Sequence, residues 1–181
     1  QPHWPVRLRA RFRIWLTGVQ SRFGDAEGYA QTVREILALA ERGGLENSAA
    51  MMQAEMVDLA LLDGDVPRAV EIGHKAMASL HRLGMTSAWG LTAAYLCGAQ
   101  ALIGRLRDAR DCAAKAQPVL SALGLEGLLW VHVATLCART DRPADAARLL
   151  GSSHACYAAN HNAPDSTMAR LHGTVEAEVE A

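Results

Sequence analysis

The side chains able to hold a metal or act as nucleophiles are few, and most lie toward the C-terminal end. His154, Cys156 and His161 are close together, with His172 further on, and imidazole plus thiolate is a zinc-compatible donor set. Spacing argues against a site: two residues apart on a helix means about 200° apart around its axis, and no second Cys-His cluster completes a tetrahedron. His132 and Cys137 would make a base and a nucleophile on paper, but no Asn or Asp is evident to orient the imidazole. His74 and His81 share a helical face without a nearby ligand pair, which reads as a solvated outer face. No glycine-rich phosphate loop and no serine elbow occur. The sequence therefore offers no catalytic residue, metal site or cofactor site, and the expectation is a protein that is not an enzyme.

What would position any binding residue is a tandem repeat. Gly44, Gly84 and Gly124 are forty residues apart, and Leu45, Met85 or Leu125 follows each. Gly24, Gly64 and Gly104 keep the same phase half a period later. The next step falls at Thr140-Asp141-Arg142-Pro143, where the fourth unit is about three residues shorter, and Ile14, Ala54, Ala94 and Ala134 form a third set. A breaker at every half period marks helix-turn-helix units that bury their apolar faces only by stacking on neighbours.

The spacing predicts repeats at about 5–43, 45–83, 85–123 and 125–160, followed by a capping helix at about 165–180. Asp25 after Gly24 supplies an N-cap, since a short carboxylate accepts the free amide protons of the next helix. Pro67 fits the first turn of its helix, where no intrahelical partner awaits its missing N–H. Pro118, inside a helix, predicts a bend near Ala114 or an unpaired carbonyl. After a polar break at Asn160 to Pro164, Asp165 or Ser166 would cap a last helix whose Met168, Leu171 and Val175 cover the final repeat. Residues Val6 to Ile14 alternate apolar and basic side chains, a strand pattern, yet Leu8, Phe12, Trp15 and Val19 also make a helical stripe. The repeat phase favours helix.

Half of the 181 residues are apolar and only 5% aromatic, with alanine and leucine dominant, which points to packed helices. A formal net charge of -1 gives no basic footprint for direct nucleic-acid binding. No stretch reads as long and apolar enough to span a membrane, so no membrane-spanning helix is expected. The four cysteines sit in apolar helical contexts without a CxxC pair, which predicts reduced core thiols and a cytoplasmic compartment. The chain starts at Gln1 without a signal-peptide pattern and reads as a fragment of a larger protein. Arg7, Arg9, Arg11, Arg13 and Arg22 meet no acid in the first twenty-two residues, whereas Glu176, Glu178 and Glu180 close the tail. That polarity suits docking to an upstream domain or an acidic partner, or is ordinary solvated charge.

Leu62-Asp63-Gly64-Asp65-Val66-Pro67-Arg68-Ala69 and Gly104-Arg105-Leu106-Arg107-Asp108-Ala109 resemble the turn and alanine core of tetratricopeptide repeats. The forty-residue period, with Arg142-Pro143-Ala144-Asp145-Ala146-Ala147-Arg148-Leu149-Leu150-Gly151, then Ala155 and Asn162-Ala163-Pro164, is similar to the C-terminal repeats of bacterial signal-responsive ATPase transcription regulators of the MalT and AfsR kind. The resemblance covers nearly the whole chain but is a pattern of small and apolar positions. No GxxxxGK[ST] phosphate loop is present and no DNA-reading helix separates from the repeats.

The expected fold is all-α: a right-handed α-solenoid of about four tetratricopeptide-like helix pairs plus the C-terminal capping helix. The resemblance implies a sensor and interaction arm of a bacterial multidomain transcription regulator, taking a protein, peptide or small-molecule inducer in its concave groove. A freestanding adaptor that binds a peptide or partner protein is the alternative, and a homodimer through a terminal repeat is a further possibility. Through the repeat phase, Arg11, Asp58, Tyr95, His132 and Thr135 map to the groove. Trp15, Trp89 and Trp130 would serve as bulk between repeats or as ligand anchors.

Overall fold

The computed structural model describes residues 5–159 and 166–180, with the side chains of Arg11, Arg22, Ser166 and Glu180 outside that description. Among the described residues the ordered structure is helical throughout: α1 Val6–Arg22, α2 Ala26–Arg42, α3 Glu46–Leu62, α4 Val66–Arg82, α5 Thr86–Leu102, α6 Leu106–Leu123, α7 Glu126–Ala138, α8 Pro143–Ala159 and α9 Ser166–Glu180. The alternating segment at Val6 to Ile14 is therefore helical. Its strand-like pattern loses to a helix that can bury Ala10 and Thr17 one to two turns apart.

One turn geometry, repeated, generates the array. Gly24, Gly44, Gly64, Gly84, Gly104 and Gly124 all have φ between 62° and 79°, where a side chain would crowd the following carbonyl. At each turn the amide after the glycine donates to the carbonyl five residues back, as in Leu45 to Ala40 at 2.8 Å and Arg105 to Gln100 at 2.8 Å. These bonds satisfy a carbonyl at the end of each helix that has no intrahelical donor. At the shortened seventh turn Asp141 takes the same role with φ 54°, and the Arg142 amide donates to Cys137 at 3.0 Å.

Asp25 caps α2 by accepting from the Gly28 amide at 3.0 Å, and Asp65 caps α4 through Arg68 at 3.2 Å. Pro67 lies in the first turn of α4. Helix α6 runs from Leu106 to Leu123 with Pro118 inside it on an exposed position. The cap expected at Asp165 or Ser166 lies outside the described residues.

Each of α1 to α8 packs on the next in sequence, and α3, α5 and α7 also pack in a row through next-but-one contacts. This placement explains the burial. Helix α5, touched on several sides, buries ten consecutive or near-consecutive residues from Gly90 to Ala101, whereas α4 buries only the stripe Ala69, Val70, Gly73, Ala76 and Leu80. Small residues set the separation: a Cβ on Gly73 would come within 2.6 Å of Leu96. Helix α9 packs on α7 and α8 and also reaches α3, so it does more than cap the last repeat.

Candidate partner-binding surface

The row of first helices, α3, α5 and α7, forms the surface on which the sequence placed its binding residues, and α9 lies across part of it. Val131 of α7 packs against Met168 and Leu171 of α9, with Tyr95, Leu102 and Leu128 at the edge of that contact. Arg170 donates to the Leu62 carbonyl at the end of α3. Glu178 pairs with Arg139 at 2.7 Å, and Val175 enters the cluster of Ala134, Cys137, Ala146 and Leu150.

Beside that contact, in the N-terminal halves of α3 and α5, lies an apolar hollow of about 510 Å³. Met51, Ala54 and Glu55 line it from α3, and Met85, Leu91 and Tyr95 from the α5 side. Flexible thioethers suit a surface that must adapt to an occupant.

The five residues mapped from the repeat phase do not share one open site. Arg11 belongs to α1, but its side chain lies outside the described residues. Asp58 is buried and accepts a hydrogen bond at 3.1 Å from the Tyr29 hydroxyl, which also donates to Glu55 at 2.5 Å. Burial, then the adjacent Glu55 and Asp58 carboxylates, drive the Tyr29 hydroxyl well above its ordinary pKa, so it remains a donor at neutral pH. Tyr95 is half-buried and meets His132 edge-on, ring centroids 5.3 Å apart.

His132 and Thr135 have no exposed surface. Thr135 spends its hydroxyl on the Val131 carbonyl at 3.0 Å, a bond internal to the helix. Neither ring nitrogen of His132 has a hydrogen-bond partner. Burial first, and the neighbouring His172 second, push its pKa down to about 3, which keeps the ring neutral. Tyr95 and His132 thus come together, Asp58 joins a separate network with Tyr29, and Thr135 is interior.

The Cys-His candidates resolve differently from one another. His132 makes no hydrogen bond to Cys137, which packs instead with Leu150 and Val175. Cys97, Cys112 and Cys137 are buried free thiols, and burial raises each thiol above its usual range, Cys97 to about 12. His154 of α8 and His172 of α9 do meet: His172 Nδ1 lies 2.5 Å from His154 Nε2, with ring centroids 4.4 Å apart. Ser153 beside them donates to the Gly127 carbonyl at 2.8 Å. Burial, then His154, lower the His172 pKa to about 4. His161 lies outside the described residues, and among the described residues no group of three or more His, Cys, Asp or Glu side chains is placed to hold a metal ion.

On the outer face, His74 and His81 are both exposed. His74 nevertheless bonds the fully buried Gln100 at 3.2 Å, and His81 lies against Trp89 with centroids 6.4 Å apart. Trp89 fills space between repeats beside Ala76 and Leu80, whereas Trp15 remains 75% exposed.

Sequence reasoning named His154 and His172 as candidate ligands without pairing them with each other, and did not pick out Tyr29 or Glu55. Tyr29 and Glu55 lie twenty-six residues apart, which joins adjacent helices across a turn, and a single tyrosine carries no periodic signal. Family models, curated proteins and solved structures were compared with the chain, and none matched. Among the described residues, no helix is long and apolar enough to cross a membrane.

Proposed function

We propose that this chain is the protein- or ligand-binding sensor domain of a bacterial multidomain transcription regulator, built as a right-handed tetratricopeptide-like superhelix. The partner or inducer occupies the face formed by α3, α5 and α7. One observation carries the choice of surface: α9 seats Met168 and Leu171 on this row of helices, directly beside the apolar hollow bounded by Met51 and Tyr95. A face that takes one amphipathic helix of its own chain has the shape and polarity to take another apolar segment. The resemblance of the repeats supplies the regulator context, and no catalysis is invoked.

Two experiments test the reading. Thermal-shift screening of residues 1–181 against small metabolites and amphipathic peptides should find a saturable ligand whose effect is lost in Met51→Glu and Tyr95→Ala. A hydrogen-exchange footprint confined to α4 and α6 would reject the surface. Sequencing the gene upstream of the Gln1 codon tests the context. A phosphate-loop ATPase and a DNA-binding domain in the same reading frame support the regulator, and their absence leaves the adaptor.

A further inference from the structure

Helices α8 and α9 bring two imidazoles, eighteen residues apart in the chain, into direct contact: His154 Nε2 lies 2.5 Å from His172 Nδ1. The two rings differ in setting. His172 is buried, whereas His154 stands exposed on α8. Binding at the α3, α5, α7 face makes no use of this pair.

Ser153 decides which nitrogen of His172 carries the proton. A serine hydroxyl has a single proton, and that of Ser153 is donated to the Gly127 carbonyl of α7 at 2.8 Å. Toward His172 Nε2, 3.4 Å away, Ser153 can therefore only accept. The His172 proton then sits on Nε2, and Nδ1 keeps a lone pair that accepts from His154 Nε2–H. This is how a metal-ligating histidine is held: one ring nitrogen donates to a fixed oxygen, which sets the tautomer and the ring orientation, and the other presents its lone pair.

We propose that His154 Nε2 and His172 Nδ1 together bind a late first-row divalent cation such as Zn(II), which clamps α9 to α8. Imidazole suits these cations, whereas Mg(II) and Ca(II) take oxygen ligands. The cation occupies the place of the proton shared between the rings and exchanges two of its waters for the two nitrogens. His154 carries its proton on Nδ1 instead, so both rings stay neutral and no net proton is released. Zn–N bonds of about 2.0–2.1 Å in a tetrahedron set the nitrogens about 3.3 Å apart, so the rings part by roughly 1 Å. The exposed His154 ring supplies that movement. Among the described residues no third His, Cys, Asp or Glu is placed to join the pair, and water, which reaches the site past His154, fills the remaining positions. The site stands whether or not the α3, α5, α7 face binds a regulator's inducer.

Calorimetric titration of ZnCl2 into metal-free residues 1–181 tests the proposal. With two protein ligands in place of the four of a structural zinc site, one ion per chain should bind with half-saturation at about 1–100 μM. His154→Ala, at an exposed position, should keep its far-UV circular dichroism spectrum and weaken binding by about tenfold or more. His172→Ala should do the same, and His81→Ala should change nothing. Ser153→Ala, which frees the His172 ring to turn, should weaken binding by about tenfold. Zn(II) should also slow amide exchange in α8 and α9 and leave α2 unaffected. An absence of binding at about 1 mM Zn(II) overturns the proposal. So does an affinity indifferent to His154→Ala, or Mg(II) binding as tightly as Zn(II).

Discussion

His132 shows how a residue chosen as a binding group becomes a structural one. Its ring fills the space left by Gly98, where an added Cβ would collide with Nδ1, and it lies edge-on to Tyr95 without a proton acceptor. Charging it would bury an uncompensated cation, which is why its pKa sits near 3, while burial and then His154 hold that of His172 near 4. In the unfolded chain both rings would titrate near the ordinary value of about 6.5. Between that value and the folded values the unfolded state binds more protons, so stability is fully present above pH 6.5 and falls as pH falls. Each histidine contributes up to about 1.4 kcal/mol per pH unit over its window. Urea unfolding at pH 7 and pH 5 should show a loss of roughly 2–4 kcal/mol, and His132→Phe should flatten the dependence. An unchanged slope in that variant would mean His132 is not the buried titrating group. The Tyr29 hydroxyl makes a second test: Tyr29→Phe leaves Glu55 and Asp58 without their shared donor and should cost about 1–3 kcal/mol by urea unfolding.

At the level of the helix, the turns carry the architecture. Six glycines and one aspartate occupy the same left-handed position, followed by the same carbonyl-satisfying bond. Gly104→Ala places a Cβ where the backbone disfavours it and should destabilise by about 1–2 kcal/mol. Asp141→Gly relieves the one described non-glycine left-handed residue and should stabilise by about 0.5–1 kcal/mol. Chemical denaturation of the two variants checks both signs, and equal effects would show that the turn conformation is not limiting. The glycine phase was plain in the chain, because only glycine takes this backbone freely. Asp141 was marked only by where the phase required a break.

Across the whole molecule, a helix meets mainly its sequence neighbours, apart from the row of first helices and the contacts of α9 with α7 and back to α3. Stability in such an array is close to a sum over units and their interfaces. Ile36→Ala, a cavity beneath α2 where Ile36 is fully buried, should cost about 2–5 kcal/mol locally. Hydrogen exchange should then accelerate in α1 to α3 and change little in α7 and α8. Uniform acceleration would instead reveal a single cooperative block, with α9 the element that ties the two ends together.

Sequence alone determined the helix pairs, their turns and the core stripes, because each follows from contacts within about one period: glycine at a left-handed position, Asp25 three residues before the amide it caps, apolar residues at helical spacing. It also supplied the α1 stripe, legible as a helical face beneath its alternating pattern. Only the tertiary structure decided where α9 lies, that His172 meets His154, that His132 and Thr135 are interior, and that Trp15 is left exposed while Trp89 is half-buried. These depend on which face of one helix is occupied by another distant in the chain. A repeating sequence assigns equivalent positions to every unit, whereas the first unit lacks a preceding neighbour among the described residues and the last units carry α9. Burial at equivalent positions therefore diverges at the two ends, where neither periodicity nor residue type reports what covers the face.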